Sequence, residues 1–125
     1  MTKRILVVED QEDNRRIIRD LLMSAGYELI EAADGEAGVR LAEAERPDLI
    51  LMDIQLPVLD GHEATRRIKQ NPELSAIPVI VVTSYALSGD DVKAMEAGSD
   101  AYVAKPFSPR QLLAKIREFL PEPAA

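Results

Sequence analysis

Three runs of the chain, Ile5–Val8 (ILVV), Leu49–Met52 (LILM) and Val79–Val82 (VIVV), are apolar at every position, with no polar alternation. A strand with one wet face alternates apolar and polar residues, so unbroken runs of this length fit strands covered on both sides. That pattern calls for a parallel sheet between two layers of helices. The stretches between the runs supply them. Ile17, Ile18, Leu21 and Leu22 recur at helical spacing, and Gly26 stands where that helix would stop. Tyr27–Ala32 (YELIEA) reads as a second strand, Asp34-Gly35 as a turn, and Glu36–Glu45 as an Ala-rich helix with Val39 and Ala42 inward. Asp60-Gly61 opens a helix through Ile68, which Asn71-Pro72 ends. Ser88 is placed to cap a helix ending near Gly98, and Ala101–Ala104 (AYVA) forms the fifth strand. Ser108-Pro109-Arg110-Gln111 combines a capping box with proline at the first helical position, ahead of inward-facing Leu112, Leu113, Ile116, Phe119 and Leu120. The prediction is five βα units in one α/β domain over residues 1–121, with a frayed tail at 122–125.

Bulk properties exclude several classes of function. A chain of 125 residues fits one domain and buries enough surface to need no covalent staple. It has no cysteine, so it has neither a disulfide framework nor a thiolate metal site. No apolar run approaches the roughly 20 residues of a membrane span, and no signal peptide is evident, so a soluble cytoplasmic protein without a membrane partner is expected. The formal net charge of −7 and pI of about 4.7 argue against direct nucleic-acid binding, which rests on Lys and Arg neutralising phosphates. The acidity serves solubility, and it raises a second reading in which some of the acids converge on a cation.

The residues that end the apolar runs bear on that reading. In open parallel sheets, ligands sit beyond the carboxyl ends of the strands, where strand order reverses. Strand one ends in Glu9 and Asp10, strand three in Asp53, strand four in Thr83 and strand five in Lys105. If strand one lies between two and three, all five groups meet in one crevice. Three carboxylates there repel by roughly 1–4 kcal/mol per close pair. Lys105 offsets one charge, a hard divalent cation would offset two more, and an all-oxygen, water-rich site suits Mg²⁺. Taken singly, each residue has an ordinary reading as a helix cap, a loop acid, a strand threonine or a solvated lysine. The joint pattern carries the argument.

With these residues in order, the chain resembles the receiver domain of two-component response regulators. The segments VVED, LILMDIQLP, VTS and AYVAKPF carry the resemblance, which runs from Arg4 to Leu120. It implies a flavodoxin-like doubly wound fold, a five-stranded parallel sheet of order 2-1-3-4-5 with helices on both faces. It implies a phosphoacceptor switch in which Asp53 takes a phosphoryl group from a phosphohistidine on a sensor histidine kinase or a histidine phosphotransfer protein. Asp10, Asp53 and the backbone carbonyl of Gln55 would bind Mg²⁺ (or Mn²⁺) directly, and Glu9 mainly through a water. Thr83 and Lys105 would contact the phosphoryl oxygens, and the Lys105-Pro106 bond resembles the family's cis peptide.

The resemblance also implies a conformational output. Thr83 and Tyr102 occupy the switch positions. The surface that changes would be the helix before Gly98, strand five and the C-terminal helix, where Lys93, Tyr102, Lys115 and Arg117 stand to meet a downstream protein target. Kinase docking would fall near Asn14, Arg15, Ile18 and Phe107. Gln55 and Tyr85 flank the path of attacking water, and a bulky Tyr85 implies slow self-dephosphorylation. Ser84 stands where many receivers carry Ala. No output domain follows Leu120, so the chain reads as a complete stand-alone receiver, monomeric or weakly dimeric. The alternatives are a fragment of a larger regulator or hybrid kinase, or a phosphorylation-independent interaction module.

Other doubly wound functions fit less well. A nucleotide-binding first turn is glycine-rich, whereas this one is Glu9-Asp10-Gln11-Glu12-Asp13. An aspartate-nucleophile phosphatase would carry a second acid two residues after the nucleophile, where this chain has Gln55, so no enzyme acting on free substrates is expected. His62, the one histidine, begins a helix outside the site and reads as a surface residue.

Overall fold

The computed structural model describes residues 2–83, 98–105 and 107–120, with Thr83 described by its backbone. Five parallel strands, β1 (Arg4–Val8), β2 (Glu28–Ala32), β3 (Leu49–Asp53), β4 (Val79–Thr83) and β5 (Ala101–Ala104), form one sheet in the order β2-β1-β3-β4-β5. The described helices are α1 (Glu12–Ser24), α2 (Gly35–Glu45), α3 (Gly61–Gln70) and α4 (Pro109–Phe119). The helix expected between Ser88 and Gly98 lies outside the described residues, as do Ser84, Tyr85, Lys93, Pro106 and the tail.

Side chains alternate across a strand, and here both sides are apolar. Leu6, Val8, Ile50, Met52, Val79 and Val81 pack with Ala42 of α2 and with Ala64 and Ile68 of α3. Ile5, Val7, Leu49, Leu51, Ile80 and Val103 pack on the opposite face with Ile18 and Leu22 of α1 and with Leu112 and Ile116 of α4. The unbroken apolar runs are thus two interleaved rows, each buried under its own helix layer.

Helix boundaries follow local chemistry. Asp34 and Asp60 cap α2 and α3, accepting from the backbone N–H of Ala37 at 2.8 Å and of Glu63 at 2.9 Å. The predicted capping box opens α4: Gln111 N–H donates to Ser108 Oγ at 3.1 Å, and Ser108 N–H donates to Gln111 Oε1 at 2.8 Å. Helix α1 ends in a Schellman turn, with Tyr27 N–H to Leu22 O and Gly26 N–H to Met23 O. The turn needs the positive φ of Gly26, 93°, and it consumes Tyr27, so β2 begins at Glu28, one residue later than the sequence suggests.

Ile17 does not join the core; it is 64% exposed, while its neighbour Ile18 is buried. Adjacent helical residues stand about 100° apart, so only one of the pair can sit at the centre of the inner stripe. His62 is half-buried rather than on the surface, and its two ring nitrogens are shielded from solvent.

Between α1 and β2, Arg19 grips the Glu31 carboxylate with two hydrogen bonds of 2.8 and 2.7 Å. These bonds hold the Glu31 carboxyl below its ordinary range, against the opposing effect of burial. A depressed folded pKa contributes stability above the unfolded pKa, and that stability is lost as pH falls through the folded value. The stability gap between wild type and Glu31→Gln is therefore expected to be widest near neutral pH and to close on acidification. Urea midpoints taken across the acid range check this, and a gap that widens on acidification contradicts it.

The β3–α3 connection carries the other prediction of this section. Val58 has φ 69°, and Leu59 N–H donates to Pro57 O at 2.7 Å across it, which makes a left-handed γ-turn. Its side chain is 77% exposed, so packing does not repay the strain of a β-branched residue there. Such strain costs about 1–3 kcal/mol, and glycine's extra chain entropy returns about 0.5–1 of it. Val58→Gly should raise unfolding stability by about 1 kcal/mol. A denaturant curve showing a loss of that size would exclude the strain.

Candidate functional site

The alternation that builds the core also aims the site. Glu9 continues the row of Ile5 and Val7, Asp53 that of Leu49 and Leu51, and Lys105 that of Val103, all three rows facing α1 and α4. Register brings the strand ends level. Val8 pairs with Met52, so Glu9 comes beside Asp53, and Thr83 pairs with Ala104, immediately before Lys105.

Side-chain contacts close the group. Lys105 Nζ donates to Asp53 Oδ2 at 3.1 Å and to Glu9 Oε1 at 3.3 Å. Carboxylate oxygens of Glu9, Asp10 and Asp53 lie within 4.8 Å of one another. Glu9 and Asp53 are buried, at 2% and 7% exposure, and Asp10 is exposed. Gln55 N–H donates to Asp53 Oδ1 at 3.2 Å, so the loop after β3 folds back over the acid. Glu9, Asp10, Gln11, Asn14, Asp53, Gln55 and Lys105 line an open crevice of about 400 Å³.

The electrostatics match the geometry. Desolvation, then a hydrogen bond and repulsion from Glu9, push the Asp10 carboxyl above its ordinary range, with Lys105 opposing. Burial alone would lower the Lys105 ammonium, but Asp53 and then Glu9 outweigh it and hold its pKa above the usual value. Lys105 is therefore a fixed cation between two buried acids. Three converging carboxylates with one counter-charge form a donor set that fits a hard divalent cation, all oxygen and open to water on the Asp10 side.

The structure thus brings together Glu9, Asp10, Asp53, Gln55 and Lys105, with the backbone of Thr83 at the neighbouring strand end. Tyr102 stands apart on edge strand β5, 39% exposed. Lys115 and Arg117 lie on α4, where Lys115 pairs with Glu118 at 3.2 Å. Of the positions the resemblance gave to kinase docking, Ile18 is in the core and unavailable, Phe107 is half-buried, and Asn14 and Arg15 turn toward Glu9. Asn14, expected only near the docking surface, also belongs to the site: its Nδ2 lies 3.4 Å from Glu9 Oε1 and it lines the crevice. Its place four residues after Asp10, on the first turn of the following helix, was the available signal.

Against known proteins, the response regulator receiver domain family matches residues 5–117. This chain belongs to that family. The receiver domain is 43% identical to the polar-differentiation response regulator DivK of Brucella ovis over 120 residues, covering 96% of this chain and 98% of that protein. It overlays the receiver domain of the sensor histidine kinase PA1611 of Pseudomonas aeruginosa PAO1 with TM-score 0.90 and 41% identity, covering 96% of this chain and 98% of the other. That receiver was solved with a magnesium ion coordinated in its active-site cleft. The chemotaxis protein CheY4 of Vibrio cholerae overlays with TM-score 0.89 at 26% identity, covering 95% and 99% of the two chains. The strand order found here is that of the receiver fold. Among the described residues, no helix of this receiver domain is long and apolar enough to cross a membrane.

Proposed function

We propose that this receiver domain is a phosphoacceptor switch in which Asp53 takes the phosphoryl group from a phosphohistidine on a sensor kinase or phosphotransfer protein. The observation that carries the reading is Asp53 itself, a buried carboxylate held by Lys105 at 3.1 Å and the Gln55 amide at 3.2 Å, beside two further acids. Glu9, Asp10, Asp53 and the Gln55 carbonyl would hold Mg²⁺, or Mn²⁺ in its place. When bound, the cation supplies neutralisation of the phosphoryl oxygens.

The chain's own groups supply the rest. An Asp53 oxygen attacks phosphorus in line, the new O–P bond forms as the P–N bond to the donor imidazole breaks, and the electron pair returns to the imidazole nitrogen. The Lys105 ammonium passes from Asp53 to a phosphoryl oxygen, and the Thr83 hydroxyl provides a second contact. One hydrogen bond to a charged group contributes about 1.5–3 kcal/mol. Full reversal of a two-state equilibrium takes about 5.5 kcal/mol, so several contacts must throw the switch together. Tyr102 follows Thr83, and the β5 and α4 surface is then read by a downstream protein. Tyr85 restricts water and lengthens the phosphoryl lifetime. The domain spans residues 1–121.

Lys105→Met separates two of these roles. Removing a cation from beside three acids should tighten Mg²⁺ binding, and losing a preorganised charge on the phosphoryl group should slow phosphorylation by about 100-fold. Mg²⁺ titration and phosphorylation rates on the same variant check both signs. Weaker Mg²⁺ binding with an unchanged rate would remove Lys105 from the reaction.

The reading itself is tested by intact mass after incubation with phosphoramidate. One added phosphoryl group with Mg²⁺ and none with EDTA is expected. No addition under either condition, with Mg²⁺ binding seen separately, would overturn it in favour of a phosphorylation-independent interaction module.

A further inference from the structure

Behind the acidic crevice, Arg15 occupies a position that neither docking nor direct ligation explains. Its side chain is only 15% exposed. Nη1 donates to the backbone carbonyl of Glu9 at 2.7 Å. The rest of the guanidinium is held by acids: Nη2 pairs with Glu12, and Nε lies 3.5 Å from Glu31 Oε1. Glu31 is itself fixed by the two hydrogen bonds from Arg19. Arg15 is thus clamped between edge strand β2 and the end of β1.

The contact falls where the sheet runs out. Glu9 N–H donates to Ala32 O at 3.0 Å, and Ala32 is the last residue of β2. In a parallel ladder a residue turns its N–H and C=O to the same neighbour, so the Glu9 carbonyl points where β2 would continue. The Arg15 guanidinium takes the place of that missing strand N–H. The Glu9 carbonyl belongs to the peptide unit that carries Asp10, and the Glu9 carboxylate is separately held by Gln11 N–H at 3.0 Å. With its carbonyl also held, the Glu9-Asp10 pair has one orientation relative to Asp53.

We propose that Arg15 is a positioning residue, fixing the Glu9-Asp10 peptide so that the acidic pair is preorganised for a divalent cation, with Glu31 of β2 as its rear anchor. The inference rests on the reading of the crevice as a cation site. Sign distinguishes positioning from plain electrostatics. Arg15 is a positive charge near the site, so if charge alone mattered, its removal would tighten cation binding. If it positions the ligands, its removal weakens binding, and groups that orient metal ligands typically contribute about 10–100-fold in affinity.

The experiment titrates the full chain with Mg²⁺ alone and follows amide shifts by NMR, for wild type, Arg15→Gln, Arg15→Lys and Glu31→Gln, with a urea curve for each. Arg15→Gln should weaken Mg²⁺ binding by about 10-fold while remaining folded. Arg15→Lys should recover part of the loss through a single donor to Glu9, and Glu31→Gln, which does not line the crevice, should weaken binding by a smaller factor. Unchanged or tighter binding by Arg15→Gln overturns the proposal. If Arg15→Gln does not fold, Arg15→Lys decides, because it keeps the charge: binding at or above wild-type affinity there overturns the proposal equally. Failure of the wild type to bind Mg²⁺ would instead overturn the underlying reading, and that outcome is seen before any variant is compared.

Discussion

Asp53→Asn is expected to accept no phosphoryl group while folding as well as the wild type. Asp53 is 7% exposed, and its carboxylate accepts two hydrogen bonds. Oδ1 accepts from Gln55 N–H, and an asparagine oxygen can keep that bond. Oδ2 accepts from Lys105, and an amide NH₂ facing an ammonium cannot. The change therefore loses one ion pair, and it also removes one of three mutually repelling carboxylates, a term of roughly 1–4 kcal/mol per close pair. These effects oppose each other, so a net stability change within about 1 kcal/mol is expected. The chemical effect has no such offset, because a neutral amide does not form the acyl phosphate. Intact mass with phosphoramidate reads the chemistry and a urea curve reads the fold. Phosphoryl addition to a folded Asp53→Asn protein would move the acceptor elsewhere.

Gly61→Ala is expected to be strongly destabilising and to disturb the site as well as the fold. Gly61 opens α3 directly beneath the end of β3, and its N–H donates to Ile54 O at 2.9 Å. A β-carbon built there would lie 2.0 Å from the Asp53 carbonyl oxygen and 2.7 Å from Ile54 Cα. Both obstacles are backbone, so no side-chain rotation relieves the clash. Overpacking of a well-packed core costs about 1–3 kcal/mol, occasionally more, and with backbone on both sides here a loss of about 3 kcal/mol is expected. The backbone that must move carries Asp53, so whatever fraction folds should also bind Mg²⁺ poorly. Wild-type stability together with wild-type affinity would mean that this contact is looser than the structure has it.

Much of this was legible in the chain. The unbroken apolar runs demanded a sheet covered twice, and the same alternation that sorts Ile5 and Val7 from Leu6 and Val8 sends Glu9, Asp53 and Lys105 to one side. The strand order came from the family resemblance, since periodicity alone leaves open which strands are neighbours. What escaped depended on helix orientation. Ile17 and Ile18 are both apolar, and which one reaches the core depends on how α1 is rolled against the sheet. That same roll turns Asn14 and Arg15 toward Glu9: spacing puts both just after the acidic pair but does not say which way each side chain points.

The most direct test of the central claim is to find which residue carries the phosphoryl group. Protein phosphorylated with phosphoramidate and Mg²⁺ can be reduced with borohydride, which converts an aspartyl phosphate to homoserine, and then digested and mapped by mass spectrometry. The account predicts homoserine at position 53 and nowhere else. Aspartate intact at position 53, with the label on Glu9, Asp10 or His62, would contradict it.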